Sequence, residues 1–193
     1  MSAIPTIPTI PAPPPRTVWI ADAAYLYNYG RGRGAGFDYL KLKNELARQN
    51  GAPLYESYYF NASPDPTAEA QSAFHSWIKS AAPKGPQMRV QLYKLKDLRA
   101  HCPQCGTHFD RHVQKGVDVA IATLMIKLAT QGVYDRVILS AGDGDFEDAI
   151  DYVKSDLRKE VWLNGAQSTL SVDLQCYADR VLWLDDMGSA IDK

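Results

Sequence analysis

The chain is short of four things, and each shortage removes a class of protein. It has three cysteines in 193 residues. Two of them share one Cys-x-x-Cys, which is too few for the disulfide framework of a small secreted domain. No apolar run approaches the ~18 residues that span a bilayer. The N-terminus has neither the basic start nor the apolar stretch of a secretory signal. Charge of one sign is missing too: 21 Lys and Arg against 22 Asp and Glu leave a formal net charge of −1. No global field draws such a chain to nucleic acid, so any such binding rests on local basic patches. The expectation is a soluble, cytoplasmic protein without a membrane partner.

What is present suffices for a core. Hydrophobic residues make up 46% of the chain, and its length suits one domain with a small inserted module. Residues 1–15 hold six of the twelve prolines, a composition that favours extended polyproline II and buries nothing. Residues 1–16 are therefore read as a flexible tail, 17–187 as the domain and 188–193 as a C-terminal tail. Within the domain, apolar runs at 17–21, 54–60, 88–95, 136–140, 160–163 and 181–184 read as strands. Helical spacing at 38–49, 66–80, 116–130, 145–157 and 171–178 falls between them. This alternation predicts an α/β fold with a mainly parallel central sheet flanked by helices.

The densest chemistry follows the run Arg136-Val137-Ile138-Leu139. There Ser140-Ala141-Gly142-Asp143-Gly144-Asp145-Phe146 places two carboxylates at the carboxyl end of a strand, where open α/β sheets hold their ligands. One Asp satisfies a helix cap; two at i and i+2 exceed that need. Asp22 ends the first strand. Asp118 opens the apolar helix at 116–130 beside Ile121, Ala122 and Met125, a costly place for an unpaired carboxylate. If the first and fourth strands are neighbours, these acids converge. Oxygen ligands of this kind suit a hard divalent cation such as Mg²⁺, able to activate water against a phosphodiester.

Lys115-Gly116-Val117-Asp118-Val119, followed about twenty residues later by the Ser140–Phe146 motif, resembles the NYN domain, the LabA-like members of the PIN-like nuclease superfamily. The resemblance runs from about residue 17 to 186. It implies a Rossmann-like PIN fold and a metal-dependent endoribonuclease. Asp22, Asp118, Asp143 and Asp145 would be the catalytic carboxylates, holding Mg²⁺ or Mn²⁺. Hydrolysis would leave a 3′-hydroxyl and a 5′-phosphate. The family carries Asp-Gly-x-Asn after the first strand; here Asp22-Ala23-Ala24-Tyr25 puts Tyr25 where the Asn is expected, with Asn28 one helical turn on.

Other segments leave alternatives open. Tyr29-Gly30-Arg31-Gly32-Arg33-Gly34-Ala35-Gly36 lacks the placement of a dinucleotide loop. It reads either as a phosphate-contacting loop or as a solvated one. Asn28, Arg31, Arg33, Lys115 and Ser140 are the expected contacts to a single-stranded RNA. The insert at about 99–113 contains Cys102-Pro103-Gln104-Cys105 and three histidines. Cys102, Cys105, His108 and His112 form one candidate Zn²⁺ set, and a metal-free turn or a redox pair are its alternatives. Cys176 reads as a small buried residue, and a homodimer is compatible with the chain. Two rivals to the nuclease are a non-catalytic RNA-binding or adaptor module and a metal-dependent phosphatase acting on small molecules.

Overall fold

A computed structural model describes residues 13–34, 36–63, 69–101, 103–113 and 116–193. Most of the proline-rich tail, together with Cys102 and Lys115, lies outside the described residues.

Six parallel strands form the central sheet. They are β1 (Thr17–Asp22), β2 (Glu56–Ser63), β3 (Arg89–Lys94), β6 (Arg136–Ser140), β7 (Glu160–Gly165) and β8 (Arg180–Trp183). Their order is β3-β2-β1-β6-β7-β8, and every pairing is parallel. The chain therefore winds outward in both directions from the β1–β6 pair. Such a reversal opens a crevice at the carboxyl ends of the two central strands.

The strands are near-continuous apolar runs because both faces of the sheet are covered. Val18 and Ile20 of β1, Val137 and Leu139 of β6, and Val161 and Leu163 of β7 point to one face. There they meet α4 (Val117–Thr130) and α5 (Glu147–Asp151). Trp19, Ala21, Ile138 and Trp162 alternate to the other face. There they meet α1 (Ala23–Gly32), α2 (Tyr39–Asn50), α3 (Glu69–Lys79) and α7 (Leu184–Met187). The helix α4 buries Val117, Ile121, Met125 and Leu128 at helical spacing. The expected helix at 145–157 is divided into a 3₁₀ turn at Gly144–Phe146, α5, and a π turn at Tyr152–Asp156.

Two expectations are corrected, and the Cys/His insert is given its form. The first half of the Gly/Arg segment is helix rather than loop: α1 runs through Gly32, with Ala23, Leu26 and Gly30 buried at helical spacing. The Cys/His insert is an antiparallel hairpin of its own, β4 (Lys96–His101) against β5 (His108–Val113). Residues 188–193 are held down rather than trailing. Ile191 is fully buried, Phe37 bridges Asp192, and Asp38 N–H donates to the Ile191 carbonyl at 2.8 Å. Among the described residues no helix is long and apolar enough to cross a membrane.

A buried polar chain ties four strands together beneath the crevice. Trp19 Nε1–H donates to Ser140 Oγ at 2.8 Å, and Ser140 donates to Asn164 Oδ1 at 2.7 Å. Asn164 Nδ2 then donates to the Leu182 carbonyl at 2.9 Å. Ser140→Ala removes the shared link and leaves an indole N–H and an amide oxygen buried without partners. Urea unfolding should show a loss of about 1–3 kcal/mol, whereas an unchanged midpoint would mean that the chain carries no stability.

Candidate active site

β1 and β6 pair with Ala21 opposite Ser140, so Asp22 and the loop 141–143 leave the sheet side by side. Asp22 is the N-cap of α1. Its Oδ1 accepts the backbone N–H groups of Ala24 and Tyr25 at 2.9 and 3.3 Å. Asp143 caps the 3₁₀ turn in the same manner, accepting from Asp145 N–H at 3.2 Å. Asp118 sits in the first turn of α4, whose cap residue Gly116 takes φ +87° and supplies no side-chain cap. That turn points its positive end toward the same crevice.

Asp22 and Asp118 both feel neighbouring carboxylates. Burial pushes the Asp22 carboxyl above its ordinary range, its two cap bonds pull it back, and the charges of Asp118 and Asp143 push it up again. Asp118 is raised first by burial, then by Asp143 and, more weakly, by Asp145. Among the described residues no three acid, imidazole or thiol groups already close around one point. The acids line an open crevice. That suits Mg²⁺, which keeps several waters and takes only one or two carboxylates. The donor set is all oxygen and mutually repelling, so it fits a hard divalent cation.

Tyr25, standing where an asparagine was expected, does not face the acids. Its ring lies against Gly142, where a Cβ would stand 2.3 Å from Tyr25 Cε2. Its hydroxyl accepts from Ala166 N–H at 2.9 Å and from Thr169 Oγ1 at 3.0 Å. A Cβ on Gly165 would stand 2.8 Å from that hydroxyl. The phenol thus wedges the start of α1 against the loops after β6 and β7. Ser171 is the N-cap of α6 (Val172–Gln175), and its own N–H donates to the Gly142 carbonyl at 3.0 Å.

The expected RNA contacts divide. Asn28 and Arg31 line a cleft of about 860 Å³ along α1, which sequence reasoning missed. Arg33 is paired with Asp192 at 2.8 Å and so has less charge to offer. Ser140 is corrected: it is fully buried and its hydroxyl belongs to the strand-tying chain. At the hairpin, His101 stands opposite His108 with ring centroids 6.0 Å apart, and Cys105 is exposed. His112 is four residues further along the extended β5, about 13 Å by strand rise. Cys102 and the side chain of His112, the other two members of the candidate Zn²⁺ set, lie outside the described residues. Cys176 is exposed, not buried, with its Sγ 2.9 Å from the Asp173 carbonyl.

The upward shifts have a stability consequence. An ionised Asp118 disfavours the folded state above its titration range, and the penalty fades as pH falls toward the ordinary 3.8. Asp118→Asn in metal-free buffer at pH 7 should gain roughly 0.5 kcal/mol, kept small by solvent screening. The gain should vanish in acid; a loss at pH 7 would contradict the repulsion. Tyr25→Asn should cost about 2–4 kcal/mol, since it empties the wedge and strips Ala166 N–H of its partner. Thermal unfolding measures it, and a neutral result would mean that the wedge is dispensable.

A family model described as the NYN domain matches residues 16–185. The chain is similar to the "Low amplitude and bright protein LabA" of Synechococcus elongatus. The two are 26% identical over 157 residues, covering 81% of this chain and 77% of the relative. A crystal structure of a protein of unknown function from Vibrio parahaemolyticus superposes with a TM-score of 0.69 at 20% identity. It covers 95% of this chain and 100% of its own, a likeness of fold.

Proposed function

Because the chain belongs to the NYN domain family, LabA-like and within the PIN-like nuclease superfamily, we propose that it is a metal-dependent endoribonuclease. The observation that supports this reading is the nearness of Asp22, Asp118 and Asp143 at the β1–β6 crevice, where the charges of Asp118 and Asp143 act on Asp22 and that of Asp143 acts on Asp118. Asp22, Asp118, Asp143 and Asp145 would hold Mg²⁺ or Mn²⁺. A divalent ion bound there would supply positive charge against the scissile phosphate and a more acidic water.

The protein's part is placement. Asp22 and Asp143 are fixed by their cap bonds, and Asp118 is carried on a helix packed against β1 and β2. These anchors hold the acids on rigid elements rather than on free loops. Asn28 and Arg31 offer a hydrogen-bonding amide and a guanidinium to the RNA backbone on the α1 side. The cut is a hydrolysis: water adds to phosphorus and the ribose 3′-oxygen leaves, giving a 3′-hydroxyl and a 5′-phosphate. No side-chain nucleophile is required.

End-labelled single-stranded RNA, incubated with EDTA, Mg²⁺ or Mn²⁺, tests the reading. Cutting should need the metal, and Asp143→Asn should lower it by roughly a hundredfold or more. RNA bound but uncut under every metal would sink the nuclease reading and leave an RNA-binding module in its place.

A further inference from the structure

The cleft along α1 has its own chemistry. Its volume of about 860 Å³ is large enough for a nucleotide. Phe37, Tyr39, Tyr59 and Phe74 line it as one connected aromatic wall, with successive ring centroids 4.9 to 6.1 Å apart. His75 also lines it, is 4% exposed, and its Nε2 is buried with no hydrogen-bond partner among the described residues. A buried nitrogen without a partner is destabilising unless a ligand satisfies it. Burial, and then the charge of Lys79, hold the His75 imidazole below its ordinary titration range. It is therefore neutral near pH 7, able to donate from one ring nitrogen and accept at the other. The amides of Asn28, Asn61 and Gln71 add donors and acceptors, and Arg31 and Lys193 add positive charge.

The cleft shares an edge with the carboxylates. Ala23 and Ala24, which line it, follow Asp22 directly. Asn61 and Ala62 follow Phe60, the register partner of Asp22 on β2. The charge of Asp22 reaches the hydroxyls of both Tyr39 and Tyr59. A flat ligand with donors and acceptors in its plane and a phosphate at its edge matches all of these groups at once. Base stacking on aromatic side chains is the common device for holding single strands. A purely apolar ligand would leave the His75 imidazole unsatisfied.

We propose that this cleft is a nucleobase subsite, holding one base of the RNA strand against the aromatic wall while the adjoining phosphodiester lies at the carboxylates. The proposal rests on the nuclease reading for the position of the strand, but base binding itself needs no metal. His75 and Gln71 contact the base edge, and Arg31 and Lys193 face the phosphate.

The test is direct titration of the full chain in EDTA by calorimetry. The fluorescence of Trp77, whose ring lies 5.7 Å from that of Phe74, gives a second readout. The ligands are the four ribonucleoside 5′-monophosphates, a trinucleotide, and ribose 5-phosphate as a base-free control. Saturable binding is expected for at least one mononucleotide, tighter for the trinucleotide and absent for ribose 5-phosphate. His75→Phe should weaken it at least tenfold. Gln71→Ala, at a half-exposed helix position that folding tolerates, should weaken it severalfold. Both variants should raise KM for RNA more than they lower kcat. Equal binding of ribose 5-phosphate, no binding of any nucleotide at millimolar concentration, or indifference to both substitutions would overturn the subsite. Base binding with no cleavage under any metal would sink the nuclease reading alone. Cleavage without base binding would sink only the subsite.

Discussion

Two adjacent parallel strands that both run into acidic residues impose the constraint on which the rest of this structure depends. The β1–β6 pairing is favourable for the core, since each strand buries side chains on both faces. The same register brings Asp22 beside the loop that carries Asp143. Packing and electrostatics therefore oppose each other at one point, and packing wins because it acts along the whole strand. The acids are partly compensated by local use, Asp22 and Asp143 each capping the turn that follows. Asp118 caps no turn and meets the repulsion with its place in the first turn of α4 and a hydrogen bond from its own backbone N–H.

The surroundings of the crevice are unequal. Beneath it, the hydrogen-bonded run from Trp19 through Ser140 and Asn164 to Leu182 stiffens the sheet. On the β7 side Tyr25 fills the space and closes two loops onto α1. On the β2 side the molecule opens into an aromatic cleft with an unsatisfied imidazole.

The strands and the acids were legible because their signals are strong and local. Apolar runs of the right length ended in Asp22 and in Asp143, and helix spacing exposed α4 with Asp118 in its first turn. The convergence was conditional on the neighbour relation of two strands far apart in sequence, which only the folded chain supplies. The helix α1 was hidden because its buried stripe includes Ala23 and Gly30, too small to mark a period, and because glycine argues locally for a loop. Ser140 looked like a surface hydroxyl because it precedes the acidic turn, yet the indole that claims it lies 121 positions earlier. The cleft was invisible for the same reason: its walls come from β2, α1, α2 and α3 and the C-terminal residue, with no common motif. The His75 orphan has no sequence signature at all.

The wedge formed by Tyr25 also limits how this site can change over generations. A side chain at Gly165 would stand 2.8 Å from the phenol oxygen, and one at Gly142 would overlap the ring. Neither glycine can be replaced while the phenol remains. The reverse order is open at position 165 alone, because a Cβ at position 142 would still stand 2.7 Å from the Thr169 carbonyl oxygen whatever residue occupies position 25. Mutational routes between a phenol and an amide at this position are therefore directional: position 25 must move before position 165 is free to. Across relatives the pair should be correlated, with any side chain at position 165 accompanying a small residue at position 25. Two residues 140 apart in sequence thus share one inherited space.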